Sequence, residues 1–225
     1  MSDTRVKIAP SLLSADFGRL ADAVAECERA GADAIHFDVM DGRFVPNLTV
    51  GPIVLRALRG GTRLPFDVHL MIEEPLRTFD QYLDAGAARL AVHVEAEPHL
   101  HRFAEHVRKR EASPGVAINP GTSLSLLDEA IRFVDFVLLM TVDPGWGGQS
   151  FIAGSVVRVA ELRKRIANRG AACEIAVDGG IGPENAAALA GAGARHFVAG
   201  SAVFGRGDVP GAVAALRAAA SGLRA

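Results

Sequence analysis

Two textures of apolar residues alternate along this chain. Short, nearly unbroken apolar runs occupy residues 8–13, 34–40, 66–71, 89–93, 115–118, 136–141, 174–178 and 196–199. Between them lie longer stretches in which apolar residues recur at helical spacing, at 20–30, 53–58, 76–85, 100–110, 124–131, 155–168, 183–192 and 209–220. Continuous apolar runs fit strands buried on both faces, and parallel pairing of such strands requires crossover helices. Eight strand–helix units predict an α/β fold: a closed (β/α)8 TIM barrel, as one domain over residues 1–225. A doubly wound open sheet is the alternative, but no GxGxxG follows the first run. Gly31-Ala32, Gly86-Ala87 and Gly193-Ala194 each sit between a helix and the next strand, where a helix-ending glycine belongs.

Composition narrows the function. The formal net charge is −2 across 225 residues. That gives no electrostatic reason to expect nucleic acid or an anionic membrane as a partner. No apolar stretch is long enough to span a bilayer, and the first residues lack the apolar core of a signal peptide. A cytoplasmic location is the expectation. Cys27 and Cys173 have neither metal-ligand nor redox spacing and read as reduced, buried thiols.

In a barrel of this kind the chemistry sits where strands end. Side chains alternate faces along a strand. His36, Asp38 and Met40 therefore share one face of the second strand, and His69 and Met71 share one face of the third. Asp178 ends the seventh. Two histidines and two aspartates converging on a barrel mouth form a plausible four-ligand set for one divalent metal cation, Zn²⁺, Fe²⁺, Mn²⁺ or Co²⁺. Any one strand histidine could equally be a core residue; four such residues at matching strand ends favour a metal. His93 could support the site or belong to the core. His99, His101 and His106 read as solvated, and His196 starts a strand, at the end away from the chemistry.

Glycine-rich turns follow the last three strands: Pro144-Gly145-Trp146-Gly147-Gly148, Gly179-Gly180 and Gly200-Ser201. Glycine lets backbone N–H groups approach an anion, and loops after strands seven and eight recur as phosphate sites in this barrel class. Lys7, Lys109 and Lys164 are the lysines, and none ends a strand on the catalytic side, which disfavours a Schiff-base aldolase. A cation beside a carbonyl acidifies the neighbouring C–H, and two carboxylates could remove and return a proton. Met40, Met71 and Met140, all at strand ends, are either gap-filling core or an apolar cap that keeps water from an enediolate.

The chain resembles the ribulose-phosphate 3-epimerase family over nearly its whole length. The matching stretches are Ile8-Ala9-Pro10-Ser11-Leu12-Leu13-Ser14-Ala15-Asp16, the long His36-Phe37-Asp38-Val39-Met40-Asp41-Gly42-Arg43-Phe44-Val45-Pro46-Asn47, Asp67-Val68-His69-Leu70-Met71, Pro144-Gly145-Trp146-Gly147-Gly148-Gln149 and Val177-Asp178-Gly179-Gly180-Ile181. The resemblance implies reversible epimerisation at C3 of D-ribulose 5-phosphate to D-xylulose 5-phosphate, in the pentose phosphate pathway or Calvin cycle. It implies Asp38 and Asp178 as the proton-transferring pair, and His36, Asp38, His69 and Asp178 as ligands to one divalent metal. Ser11 would contact the substrate, with His69 and Asp178; Gly145–Gly148, including Trp146, Gly179–Gly180 and Gly200–Ser201 would hold its phosphate end. A homo-oligomer is a further family expectation. Asp143-Pro144-Gly145-Trp146 departs from the family's more usual Asn-Pro-Gly-Phe; its Asp143 is similar to the related allulose-6-phosphate 3-epimerases, the alternative activity, while Phe44-Val45-Pro46-Asn47 and Asp178-Gly179-Gly180 favour the pentulose enzyme. A non-catalytic sugar-phosphate binder on the same barrel is the third reading.

Overall fold

In the computed structural model, residues 5–222 are described; Met1–Thr4, part of the segment read for a signal peptide, and residues 223–225 lie outside them. Eight strands alternate with helical segments: β1 (Lys7–Pro10), β2 (Ile35–Met40), β3 (Phe66–Met71), β4 (Ala87–His93), β5 (Ser113–Ile118), β6 (Phe136–Met140), β7 (Glu174–Asp178) and β8 (His196–Ala199). Neighbours in sequence pair in parallel from β2 through β8, and β8 pairs with β1. A parallel bridge between Ser11 and His36 joins the β1 side to β2 and closes the barrel. The expected single-domain (β/α)8 barrel is the observed one.

Period-two alternation sorts the strand residues into two cores. Outward positions such as Phe37, Val68, Leu90, Val116 and Val177 pack against the helices. Inward ones, among them Ala9, Ala91, Ala117, Leu138, Ala176 and Val198, fill the barrel. The alanines leave the interior narrow, and the large Phe136 and Leu138 occupy the space they leave. Each fully buried Phe, Ile or Leu adds about 1.5–3 kcal/mol.

The helices are α1 (Leu20–Arg29), α2 (Pro52–Arg59), α3 (Phe79–Asp84), α4 (Leu100–Lys109), α5 (Ser155–Asn168), α6 (Pro183–Ala192), α7 (Ser201–Phe204) and α8 (Val209–Ala220). The last shows why the pattern works: Val209, Val213, Leu216 and Ala220 make one buried stripe, and Asp208 caps the start by accepting from the Gly211 N–H. No helix among the described residues is long and apolar enough to cross a membrane.

Two departures from the sequence expectation have physical causes. The segment 124–131, expected as a helix, is a pair of 3-10 turns, Leu124–Leu127 and Ala130–Arg132. Its backbone closes three-residue bonds, Leu126 to Ser123, Asp128 to Ser125 and Arg132 to Glu129, although the buried Leu124, Leu127, Ala130 and Ile131 would suit an α-helical stripe as well. The first strand ends at Pro10 rather than running to residue 13, because Leu12–Ser14 turn in a 3-10 helix capped by the Ser11 side chain. Cys27 is buried as expected, whereas Cys173 is only half-buried; both thiols are free, and burial pushes each up to about 12.

Candidate active site

β2 and β3 pair in register, placing His36 beside Asp67, Asp38 beside His69 and Met40 beside Met71. Pleating then turns all six toward the barrel axis in three layers. The end of β2 is held by Thr49, whose hydroxyl donates to the Asp38 carbonyl at 2.5 Å and accepts from the Met40 N–H at 3.0 Å. Asp41 fastens the following turn by accepting from the N–H groups of Arg43, Phe44 and Glu73. On the other side of the mouth the Thr141 hydroxyl donates to the Asp178 carbonyl at 2.9 Å and to that of Gly179, fixing the end of β7.

These supports bring four side chains together. One donor atom from each of His36, Asp38, His69 and Asp178 lies within 4.8 Å of the others. Asp38 Oδ1 is 3.4 Å from His36 Nε2 and 3.3 Å from His69 Nδ1; Asp178 Oδ2 is 4.0 and 3.7 Å from the same nitrogens. A tetrahedral cation with bonds of about 2.0–2.1 Å needs ligand atoms roughly 3.3 Å apart; the Asp38 contacts match that spacing and the Asp178 contacts are somewhat longer. His36 Nε2 is buried and has no hydrogen-bond partner, while its Nδ1 is bonded to Asp67 Oδ2 at 3.0 Å. A carboxylate behind one ring nitrogen and an orphaned nitrogen in front is the arrangement of a metal-bound histidine. The cluster could therefore bind a metal.

The two carboxyl groups have opposite proton affinities. Burial would raise Asp38, but the nearby His36 and His69 rings, the latter hydrogen-bonded to it, hold it well below the carboxylate range. Burial and the nearby Asp38 charge raise Asp178 above its ordinary value. The imidazoles respond in turn. Burial opposes their protonation, yet Asp38, with Asp67 for His36 and Asp178 for His69, lifts both above the usual histidine value. Protons and a divalent cation are thus competing ways to neutralise this pair of acids.

Above the cluster a cavity is lined by Ser11, Asp38, Met40, Met71, Met140, Gly145, Trp146, Gly147, Gly148, Asp178, Gly179, Gly180, Gly200 and Ser201. His36 and His69 lie beneath its floor, fully buried. Ser11 donates its hydroxyl hydrogen to Asp38 Oδ2 at 2.5 Å, so it orients that carboxylate as well as facing the cavity. Met40 and Met71 pack with Val45, Leu13 and Phe44, while Met140 belongs to the inner barrel core. The three methionines are packed, and they also wall the cavity.

Two glycines permit close approach. At Gly180, with φ of +63°, a Cβ would sit 2.7 Å from the Phe151 nitrogen; at Gly200 it would sit 2.4 Å from Ser14 Oγ. Gln149 straps the turn before it by donating to the carbonyls of Asp143 and Trp146 at 2.6 and 3.0 Å.

Sequence reading did not single out several residues. Leu13, Ser14, Val142, Gln149 and Val198 also line the cavity. Asp67 backs His36, and His93, left open between core and support, bonds through Nε2 to His69 Nε2 at 2.8 Å. His106 is half-exposed beside Asp80, and His196 lies at the opposite end of the barrel, both as expected. The signal for Asp67 was present, since it alternates with His69 on β3.

Solved structures share the architecture. A chain described as KGPDC from Streptococcus mutans superposes with a TM-score of 0.71 at 13% identity, covering 98% of this chain and 100% of that one. A thiamine phosphate pyrophosphorylase from Pyrococcus furiosus gives 0.67 at 18% identity, covering 96% of each. These likenesses concern the fold alone. Sequence relatives are far more similar. The chloroplastic ribulose-5-phosphate-3-epimerase of Arabidopsis thaliana is 48% identical over 96% of this chain and 78% of its own length. The ribulose-phosphate 3-epimerase of Bacillus subtilis (strain 168) is 46% identical over 94% of this chain and 98% of its own, and that of Escherichia coli (strain K12) 46% over 89% and 90%. The model of the ribulose-phosphate 3-epimerase family matches residues 7–204, and with the relatives it establishes that this chain is a member of that family.

Proposed function

We propose that the protein interconverts D-ribulose 5-phosphate and D-xylulose 5-phosphate by moving the C3 proton between two aspartates. The observation that carries this reading is the pair Asp38 and Asp178, side by side on one cavity floor with opposite proton affinities. Two carboxyl groups whose proton affinities are displaced in opposite directions can divide the roles of base and acid between them. Asp38, steadied by the Ser11 hydroxyl, takes the proton from C3 on one face. Asp178 returns one to the other face, which inverts the carbon, and the roles exchange in the reverse direction. β8 and β1 separate β7 from β2 along the barrel wall, so the two acids approach the axis from different directions.

His36 Nε2, His69 Nδ1 and one oxygen each of Asp38 and Asp178 would hold one divalent cation, Zn²⁺, Fe²⁺, Mn²⁺ or Co²⁺. When bound, that cation supplies Lewis-acid stabilisation of the charge that develops on the substrate oxygens. Met40, Met71 and Met140 wall off water from the enediolate, and the turns 145–148, 179–180 and 200–201 hold the phosphate through backbone N–H groups.

The test is an epimerase assay on protein loaded with each metal in turn, followed in deuterated water. Turnover with deuterium appearing at C3 is expected; no turnover with any metal refutes the assignment. Asp143, where the family more usually has Asn, brings in a second substrate, allulose 6-phosphate. Comparing kcat/KM for ribulose 5-phosphate and allulose 6-phosphate separates the two, with the pentulose expected to lead. From kinship we add service in the pentose phosphate pathway or Calvin cycle, a cytoplasmic site of action and a homo-oligomeric state, the last tested by sedimentation velocity.

A further inference from the structure

His36 and His69 stand in the same cluster but are supported differently. Behind His36 is a carboxylate, Asp67. Behind His69 is another imidazole: His69 Nε2 and His93 Nε2 are 2.8 Å apart, with the rings stacked at 4.9 Å between centroids. Both side chains are completely buried, so no water can arbitrate between them. The other nitrogen of His93, Nδ1, lies 3.1 Å from Glu95 Oε2, and the second oxygen of Glu95 accepts from the Asn119 backbone N–H at 2.9 Å.

Hydrogen-bond arithmetic fixes the protons along this chain. Two facing Nε2 atoms can bond only if one carries hydrogen and the other does not. A cation in the cluster needs the lone pair of His69 Nδ1, so the His69 proton must sit on Nε2. His93 Nε2 must then accept, and the His93 proton must sit on Nδ1. Only an acceptor beyond it allows that, and Glu95 is an acceptor at both oxygens. Burial works against its charge, but hydrogen bonds from His93, Thr122 and the Asn119 backbone hold its carboxyl down to about 2.

We propose that Glu95, acting through His93, is a positioning residue that sets the tautomer of His69 and so presents the His69 Nδ1 lone pair to the metal. This rests on the metal reading of the His36, Asp38, His69 and Asp178 cluster. Glu95 touches none of those four residues, and its side chain is 20% exposed on the outer side of the relay.

Substitution of Glu95 separates this role from simple packing. In Glu95→Gln the amide has one acceptor oxygen for three donors, of which the Thr122 hydroxyl can turn to accept instead. The Asn119 N–H makes the shorter bond and takes the oxygen, which leaves the amide NH₂ facing His93 Nδ1. His93 then accepts at Nδ1 and donates from Nε2, and His69 is driven to carry its proton on Nδ1, against the metal. In Glu95→Ala, water entering from the exposed side can still accept from His93. The near-isosteric change is therefore the more damaging one, the reverse of what a space-filling role predicts.

The experiment measures Zn²⁺ affinity by chelator competition for the wild type, Glu95→Ala and Glu95→Gln, with thermal melts, alongside ¹⁵N spectra of labelled histidines. The expected order of affinity is wild type, then Ala, then Gln, with Gln about tenfold or more weaker than wild type. In the wild type the His93 proton resides on Nδ1, and in Glu95→Gln it moves to Nε2. Gln binding as tightly as wild type, Gln binding more tightly than Ala, or a wild-type His93 protonated on Nε2 overturns the proposal. If the Gln variant does not fold, the wild-type ¹⁵N spectrum decides alone. Failure of all proteins, wild type included, to bind Zn²⁺, Mn²⁺ or Co²⁺ would instead sink the metal reading beneath it.

Discussion

The two ends of the barrel both bury polar clusters, and they are built on opposite plans. At the end where strands begin, Lys7, Arg89, Asp67 and Glu174 supply two cations and two anions. Arg89 reaches Asp67 at 3.2 Å and Glu174 at 3.0 Å, Lys7 reaches Glu174 at 2.7 Å, and His196 reaches Asp67 at 3.1 Å. The Arg89 guanidinium also lies 3.9 Å over the Phe136 ring. There each carboxylate is matched by a fixed cation. At the mouth, Asp178 meets imidazoles and Asp38 meets imidazoles and the Ser11 hydroxyl, neither acid is paired with an arginine or lysine among the described residues, and His36 Nε2 has no hydrogen-bond partner. Burying a charge is tolerable only when it is paired. The lower cluster supplies the pairing from its own side chains; the upper one leaves it to a proton or a cation, which makes it a place for chemistry. Asp67 belongs to both, bonding Arg89 through one oxygen and His36 through the other.

Replacing acids at the two ends should therefore give different phenotypes. The largest effect is expected at the mouth: Asp38→Asn and Asp178→Asn should each lower kcat by about 10³-fold or more, with melting temperatures close to wild type. Steady-state kinetics with calorimetry measures both quantities. A variant that loses stability but keeps turnover would erase the distinction between the ends. Next, stripping the protein with a chelator should abolish turnover without changing its far-ultraviolet circular dichroism, and a divalent cation should restore it and raise the melting temperature in proportion to binding.

At the lower end the order reverses. Arg89→Met leaves Asp67 and Glu174 short of a cation and should cost about 3 kcal/mol in urea unfolding, while kcat changes only a few-fold. A smaller effect concerns pH. Burial would raise Glu174, but Arg89 and Lys7 bring it below its ordinary value of 4.5. A carboxyl whose folded pKa is depressed stabilises the fold above its unfolded value, and that contribution disappears as pH falls through the folded value. Glu174→Gln should thus be less stable than wild type near neutrality, with the gap closing below about pH 4.5 in a series of urea melts.

Much of this was legible in the chain because strands buried on both faces announce themselves as apolar runs. His36, Asp38, His69 and Asp178 stood out because each interrupts such a run at a matching depth. What stayed hidden depends on register between strands. Nothing in the sequence around Arg89 says that it lies opposite Asp67, or that His93 meets His69, because β4 slips against β3 between Phe66 and Asp67. The segment 124–131 looks helical in sequence because its buried positions 124, 127, 130 and 131 suit an α-helix as well as 3-10 turns. The partners of Gly200 were equally invisible, as its close neighbour Ser14 lies at the other end of the chain.

Trp146 carries a consequence of its own. It is the chain's single tryptophan, sits on the rim of the cavity and is 54% exposed, whereas the single tyrosine, Tyr82, is buried in the outer core. Excitation at the red edge of protein absorbance therefore addresses one indole, and that indole is at the entrance. Ligands that dry the rim will shift its emission to the blue and shield it from iodide quenching. The protein is thus supplied with a built-in fluorophore, against which occupancy of the cavity can be titrated without any label.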